Sequence, residues 1–239
     1  MSAAIAELES RLARMTREEL LSLTPDEAAT IDYTLKDARC AESVASFTSG
    51  ALYWLTELTA TENPQYEAQG VPFKAPFPRK SYFVPLFDAF LKNMTTRRPL
   101  FIPKSRTMMT SWAAMGFAVA RAQWHKEETI VQTANEDKAS HLIDYCRQLW
   151  DNQDEFLKQR HPLRRRSTFT LAWEGGGEMS AIPSGPDKIR AFHPSRYIQD
   201  EAAFLPDGEE CLNAVFPTGA HVICISTARA GWFADECSL

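Results

Sequence analysis

The sequence has no Cys-x-x-Cys pair. Its five cysteines, Cys40, Cys146, Cys211, Cys224 and Cys237, are odd in number and far apart, with no histidine at ligand spacing. That excludes a disulfide framework and a zinc site, and reads as reduced thiols of a cytosolic protein. Long hydrophobic runs are also missing: no stretch of about 18 apolar residues occurs. The amphipathic start, MSAAIAELESRLARMTREEL, has no apolar signal-peptide core, so neither membrane insertion nor export is expected. Positive charge is not in surplus. Lys and Arg number 26 against 31 Asp and Glu, a net charge of -5. A surface basic all over is excluded, and any contact with nucleic acid must rest on a local patch or on a ring of subunits. Internal repeats and low-complexity segments are absent as well.

What is present suits a folded core. With 44% apolar residues in 239 positions, the chain can bury one large domain or one domain with an added subdomain. The first 58 residues read as helices with explicit start signals: Thr16 and Thr24 each precede a Glu by three residues, Glu19 and Glu27, and Pro25 occupies a first-turn position. Phe47, Leu52, Trp54, Leu55 and Leu58 recur at helical intervals and are expected to dock this segment on the remainder of the chain. Residues 59–80, with Pro64, Pro72, Pro76 and Pro78, read as an extended connector. From 81 onward helices such as SYFVPLFDAFLKNM, 111–124 and 135–150 alternate with short apolar runs at 99–103, 129–133, 197–199 and 221–226. Such alternation predicts a mostly parallel sheet covered on both faces. STFTLAW and EMSAIP around Gly175, Gly176 and Gly177 predict a hairpin.

Three segments carry chemistry. In RYIQDEAAF a short strand runs directly into Asp200 and Glu201, which places both carboxylates at the C-terminal edge of a parallel sheet, where open α/β sheets bind ligands. In nucleotide hydrolases the first acid holds Mg²⁺ and the second orients or deprotonates the attacking water. A solvated helix start would look the same. In PLFIPKSRTMMTSWAAMGFAVA a strand passes through a short polar turn carrying Lys104, Ser105 and Arg106 into a helix opened by Thr110 and Ser111. This arrangement presents backbone N–H groups and a positive dipole end to phosphate. Lys104 or Arg106 is placed to neutralise β and γ phosphates, and the Ser111 hydroxyl to ligate Mg²⁺. The segment departs from G-x-x-x-x-G-K-[ST], because Met109 and Thr110 occupy the last Gly and Lys places. In HVICISTARAG a buried strand ends in Ser226 and Thr227, small hydroxyls able to sense a γ-phosphate.

Together, KSRTMMTSW, AIPSGPDKIRAFHPSRYIQDEAAF and ISTARAGWF resemble the ATPase domain of phage terminase large subunits. The resemblance runs from about residue 73 to the end and is most specific around DEAAF. It implies a three-layer P-loop NTPase core over 81–239, with mostly parallel sheet. Ahead of it, 1–80 would form a helical N-terminal lid region and connector. The cofactors implied are ATP and Mg²⁺. Lys104, Ser105, Arg106, Thr107, Met108, Met109, Thr110 and Ser111 would surround the phosphates, Lys104 as the phosphate-binding lysine and Arg106 as the loop arginine. Ser111 and Asp200 would hold Mg²⁺, Glu201 would be the catalytic carboxylate, and Ser226 and Thr227 would couple hydrolysis to movement. The family's adenine-contacting Gln has no counterpart in SYFVPLFDAF, and its nuclease domain is expected to be absent from a sequence that stops at Leu239.

The partners implied are double-stranded DNA, a portal protein and a small terminase subunit. The implied setting is the host cytoplasm, with a homo-oligomeric ring when assembled and a monomer in isolation. The basic run KQRHPLRRR reads first as a solvated loop. Its functional reading makes Arg164, Arg165 and Arg166 contacts to DNA or an arginine offered to a neighbouring subunit's nucleotide. Two other functions stay open: a nucleotide-binding packaging or scaffolding module with little or no turnover, and a helicase-like ATPase fragment.

Overall fold

The computed structural model describes residues 10–42, 49–62, 73–96 and 98–238; Phe47, Pro64 and Pro72 lie outside them. The helices are α1 (Arg17–Leu21), α2 (Pro25–Cys40), α3 (Gly50–Glu57), α4 (Phe83–Thr96), α5 (Thr110–His125), α6 (Glu136–Asp151), α7 (Glu155–Arg160), α8 (Pro186–Ile189), α9 (Gly208–Val215) and α10 (Trp232–Glu236). The strands are β1 (Ala60–Glu62), β2 (Lys74–Pro76), β3 (Leu100–Lys104), β4 (Glu128–Thr133), β5 (Leu163–Ser167), β6 (Thr170–Trp173), β7 (Glu178–Pro183), β8 (Arg196–Asp200) and β9 (His221–Thr227).

Both expected capping boxes form. Thr16 accepts from the Glu19 amide while Glu19 reaches back to the Thr16 amide, and Thr24 and Glu27 repeat the exchange at α2, satisfying donors that a helix start leaves orphaned. Within the connector, β1 and β2 pair antiparallel.

The main sheet has seven strands in the order β3-β9-β8-β4-β7-β6-β5. Pairs from β3 through β7 are parallel, and the β6–β7 and β5–β6 pairs are antiparallel. Alternate side chains leave opposite faces of a strand, and the burial obeys that rule. Val131, Ile198, Ile223 and Ile225 join α3, α4, α5 and α6 on one face. Ile130, Tyr197, Val222 and Cys224 join α8, α9 and α10 on the other. The result is a three-layer α/β core. No helix among the described residues is long and apolar enough to cross a membrane.

Trp54 and Leu55 of α3 are fully buried in the same cluster as α5. Gly116 admits Leu55, since a Cβ there would lie 2.7 Å from Leu55 Cδ1. The hairpin turn closes on α5 as well: a Cβ on Gly177 would sit 2.0 Å from the Ala122 carbonyl oxygen, a backbone atom with no rotamer to escape into. Gly177→Ala is therefore expected to act as an overpacking change of about 1–3 kcal/mol, lowering the thermal midpoint by about 3–10 °C. An unchanged melting curve would contradict this packing.

The basic run corrects one expectation. Residues 163–167 are not a loop but the outermost strand of the sheet, with Arg164, Arg165 and Arg166 exposed along it. Lys158 and Arg160 lie in α7, bonded to Glu155 and Asp37. Charged side chains on an edge strand discourage pairing with other chains, a use that a charge count alone does not reveal.

Candidate phosphate and metal site

Strand register assembles the site. Lys104 pairs with Thr227 between β3 and β9, and Asp200 with Ile225 between β8 and β9. Since Ile198 and Ile225 face α5 and α6, the two-residue period puts Asp200 and Thr227 on that same face, with Lys104 beside them. Lys104 is the last residue of β3, not a member of the turn after it as the sequence suggested; the turn is 105–109. α5 then begins at Thr110, with Met109 as its N-cap and no side-chain cap. Its first amides are thus left to whatever binds there.

Two contacts join these elements. The Ser111 hydroxyl donates to Asp200 Oδ1 at 2.6 Å. Lys104 Nζ lies 2.8 Å from Glu201 Oε1. The other oxygen of Glu201 accepts from the Thr227 amide at 3.2 Å, the Thr227 hydroxyl at 3.1 Å and the Ser226 hydroxyl at 3.4 Å. Ser226, fully buried, also receives the Ala203 amide at 3.1 Å. Glu201 has a left-handed backbone with φ of 54°, a conformation that non-glycine residues hold where surrounding contacts impose it. Ser226 and Thr227 thus grip the second acid directly.

The two neighbouring acids are driven apart electrostatically. Burial, with Asp200 only 9% exposed, pushes its carboxyl up; repulsion from Glu201 adds to this, while the Ser111 bond, Lys104 and Lys138 work against it. Burial is also the largest influence on Glu201 and acts upward. The Lys104 bond, the two Thr227 bonds and the Lys104 charge together outweigh it and hold that carboxyl below the usual range. Adjacent carboxylates with opposite shifts suit different tasks.

The groups present fit a magnesium ion. Ser111 Oγ and Asp200 Oδ1 lie 2.6 Å apart, and Mg²⁺ is typically held by one or two carboxylates with phosphate and water completing its shell. A dedicated protein cage is not needed, and no cluster of three or more His, Cys, Asp or Glu able to hold a metal occurs among the described residues.

The fold is similar to that of a phage large terminase ATPase domain. The solved structure is a point mutant of that domain from Thermus phage P74-26, matched with a TM-score of 0.47 and 13% sequence identity over 72% of this chain and 73% of that one. No family model matches the sequence, and no curated protein matches it. The chemistry of the site accordingly rests on its own residues.

Other residues of these segments fall in different places. Ser105, Arg106 and Thr107 are exposed in the turn, Met108 and Met109 half-buried, and Thr110 buried. Arg190 and Asp187 form an exposed ion pair at 2.6 Å. Arg164, Arg165 and Arg166 are remote: β5 lies four strands from β8, about 19 Å at the usual strand spacing. Arg164 bonds Glu178 at 3.0 Å and Arg166 holds both oxygens of Asp151.

Three contributors carry no signal in the sequence. Tyr82 donates its hydroxyl to the Met108 carbonyl at 2.7 Å. Tyr145 of α6 stacks on Trp112 with ring centroids 4.0 Å apart. Lys138 is close enough to Asp200 to influence its charge. Tyr82 reaches the site from just before α4, and Tyr145 and Lys138 reach it from α6, so no local spacing near the acids announces them.

Proposed function

We propose that this chain is the ATP-hydrolysing motor domain of a viral DNA-packaging terminase large subunit, using Mg²⁺-dependent ATP hydrolysis to translocate double-stranded DNA. The observation that carries the hydrolase reading is the convergence of Lys104, Ser111, Asp200, Glu201 and Thr227 at the C-terminal edge of the sheet, beside an uncapped helix start. The motor reading is supported by the resemblance of KSRTMMTSW, IPSGPDKIR and DEAAF to that family. Portal and small-subunit partners and a ring of copies belong to the same reading, as does 1–80 acting as a lid on a core over 81–239.

The roles derive from charge. Bound Mg²⁺ would supply electrostatic stabilisation to the β and γ phosphates. Ser111 and Asp200 would hold it. Lys104 neutralises phosphate charge, and the amides of 107–111 surround it. The pair between Lys104 and Glu201 has to open as phosphate draws the lysine away. Glu201 Oε1 is then left to orient or deprotonate water while Thr227 and Ser226 keep the other oxygen fixed.

A motor of this kind completes its site at a subunit boundary, where an arginine supplied in trans is worth about 10³-fold or more in rate. Of the three exposed arginines, Arg165 has no acidic partner among the described residues, whereas its neighbours are engaged. Turnover per chain is expected to rise with protein concentration, and Arg165→Ala to remove most of that rise while Arg164→Ala and Arg166→Ala remove less. Full-rate hydrolysis by a dilute monomer would refute the trans step.

The other reading, a nucleotide-binding module without turnover, is favoured by the glycine-free loop. Tight ATP binding with no phosphate release at any concentration, with or without DNA, would decide for it.

A further inference from the structure

A loop that wraps phosphate must turn several amides toward one point, and positive φ is the usual means, with glycine the residue that adopts it freely. This chain has no glycine between 104 and 111. It reaches the same backbone region with Thr107 at φ 65° and Met109 at φ 53°. Non-glycine residues persist there when contacts from outside over-determine them. Met109 is anchored on its helix side, its carbonyl accepting from the Ala113 amide at 2.9 Å.

Between the two left-handed residues lies Met108. Among the described residues, the hydrogen bond that reaches turn 105–109 from a separate element is the one from the Tyr82 hydroxyl to the Met108 carbonyl, at 2.7 Å. Tyr82 is well placed to impose a position. It immediately precedes α4, and its own carbonyl receives the Leu86 amide at 3.2 Å. Its ring meets Phe83 edge-on at 4.9 Å, Phe83 contacts Phe77, and Phe77 contacts Trp112 in the first turn of α5. In a trans peptide the carbonyl and the next N–H point in opposite directions. Tethering the Met108 oxygen therefore aims the Met109 N–H away from Tyr82.

We infer that Tyr82 is the positioning residue of the phosphate loop, replacing by an external tether the conformational role that glycine has elsewhere. The inference rests on the nucleotide reading above. It assigns Tyr82 to the polyphosphate part of the ligand and not to the base.

The test measures binding of inorganic tripolyphosphate and of ATP, each with Mg²⁺, to the full chain and to Tyr82→Phe, which keeps the ring and its packing. Both ligands are expected to weaken by the same factor, about three- to tenfold, the worth of one neutral hydrogen bond. Thr107→Gly, which lets one left-handed position form unaided, is expected to recover affinity in the Tyr82→Phe background. A loss confined to ATP, with tripolyphosphate unaffected, would place Tyr82 on the base and overturn the inference, as would unchanged binding of both. Failure of the unaltered chain to bind either ligand would instead sink the nucleotide reading itself.

Discussion

Glu201→Gln is expected to keep ATP while losing at least about a hundredfold in turnover, the lower bound of what a positioned general base contributes. The contacts around it predict more than a loss. Glu201 holds Lys104 in an ion pair with the lysine side chain only 9% exposed, so phosphate has to compete with that carboxylate. Removing the negative charge releases the lysine, and the variant should bind nucleotide at least as tightly as the unaltered chain. The glutamine retains an oxygen for Thr227 and Ser226, which keeps the strand end in place. Equilibrium binding and single-turnover hydrolysis measured together check both halves. Near-normal hydrolysis would remove Glu201 from catalysis, and weakened binding would show that the ion pair does not oppose the nucleotide.

Lys104→Met is expected to show the second large effect, a roughly tenfold to hundredfold loss of triphosphate affinity, corresponding to one hydrogen bond between charged groups. Arg106→Met should cost less, because Arg106 is exposed in the turn while Lys104 lies against the acids. Titration of the two variants with a non-hydrolysable ATP analogue separates them. The reverse order would move the phosphate role to Arg106.

The sheet and both capping boxes were legible because each depends on residues close in sequence. Thr16 finds Glu19 one helical turn away, and β8 and β9 advertise themselves as apolar runs ending in polar residues. The pairings Ser111 with Asp200 and Lys104 with Glu201 were readable only as membership of one site. Their geometry depends on the register of β3, β9 and β8, which bridges 89 and 97 positions of sequence. Lys104 looked like part of a turn because Pro103 and Ser105 flank it, yet pairing with Thr227 extends β3 through it. The arginine strand was missed for a related reason. LRRRS has no alternation of apolar and polar residues, and it becomes a strand because Leu171 and Ala172 of β6 offer it a ladder. Tyr82 could not be found at all from spacing, since its partner lies 26 positions downstream.

β6 and β5 extend the sheet antiparallel beyond β7, so that the acids at the end of β8 lie two strands from one edge of the beam and four from the other. A close-packed sheet resists internal shear and moves as a body. With β5 about 19 Å from β8, a rotation of the sheet by about 10° about the site carries the arginine edge roughly 3 Å, by the same spacing, while atoms around Asp200 barely shift. A small rotation about Asp200 would thus be magnified at the β5 margin, and β6 and β5, by lengthening the sheet, set how far that margin travels.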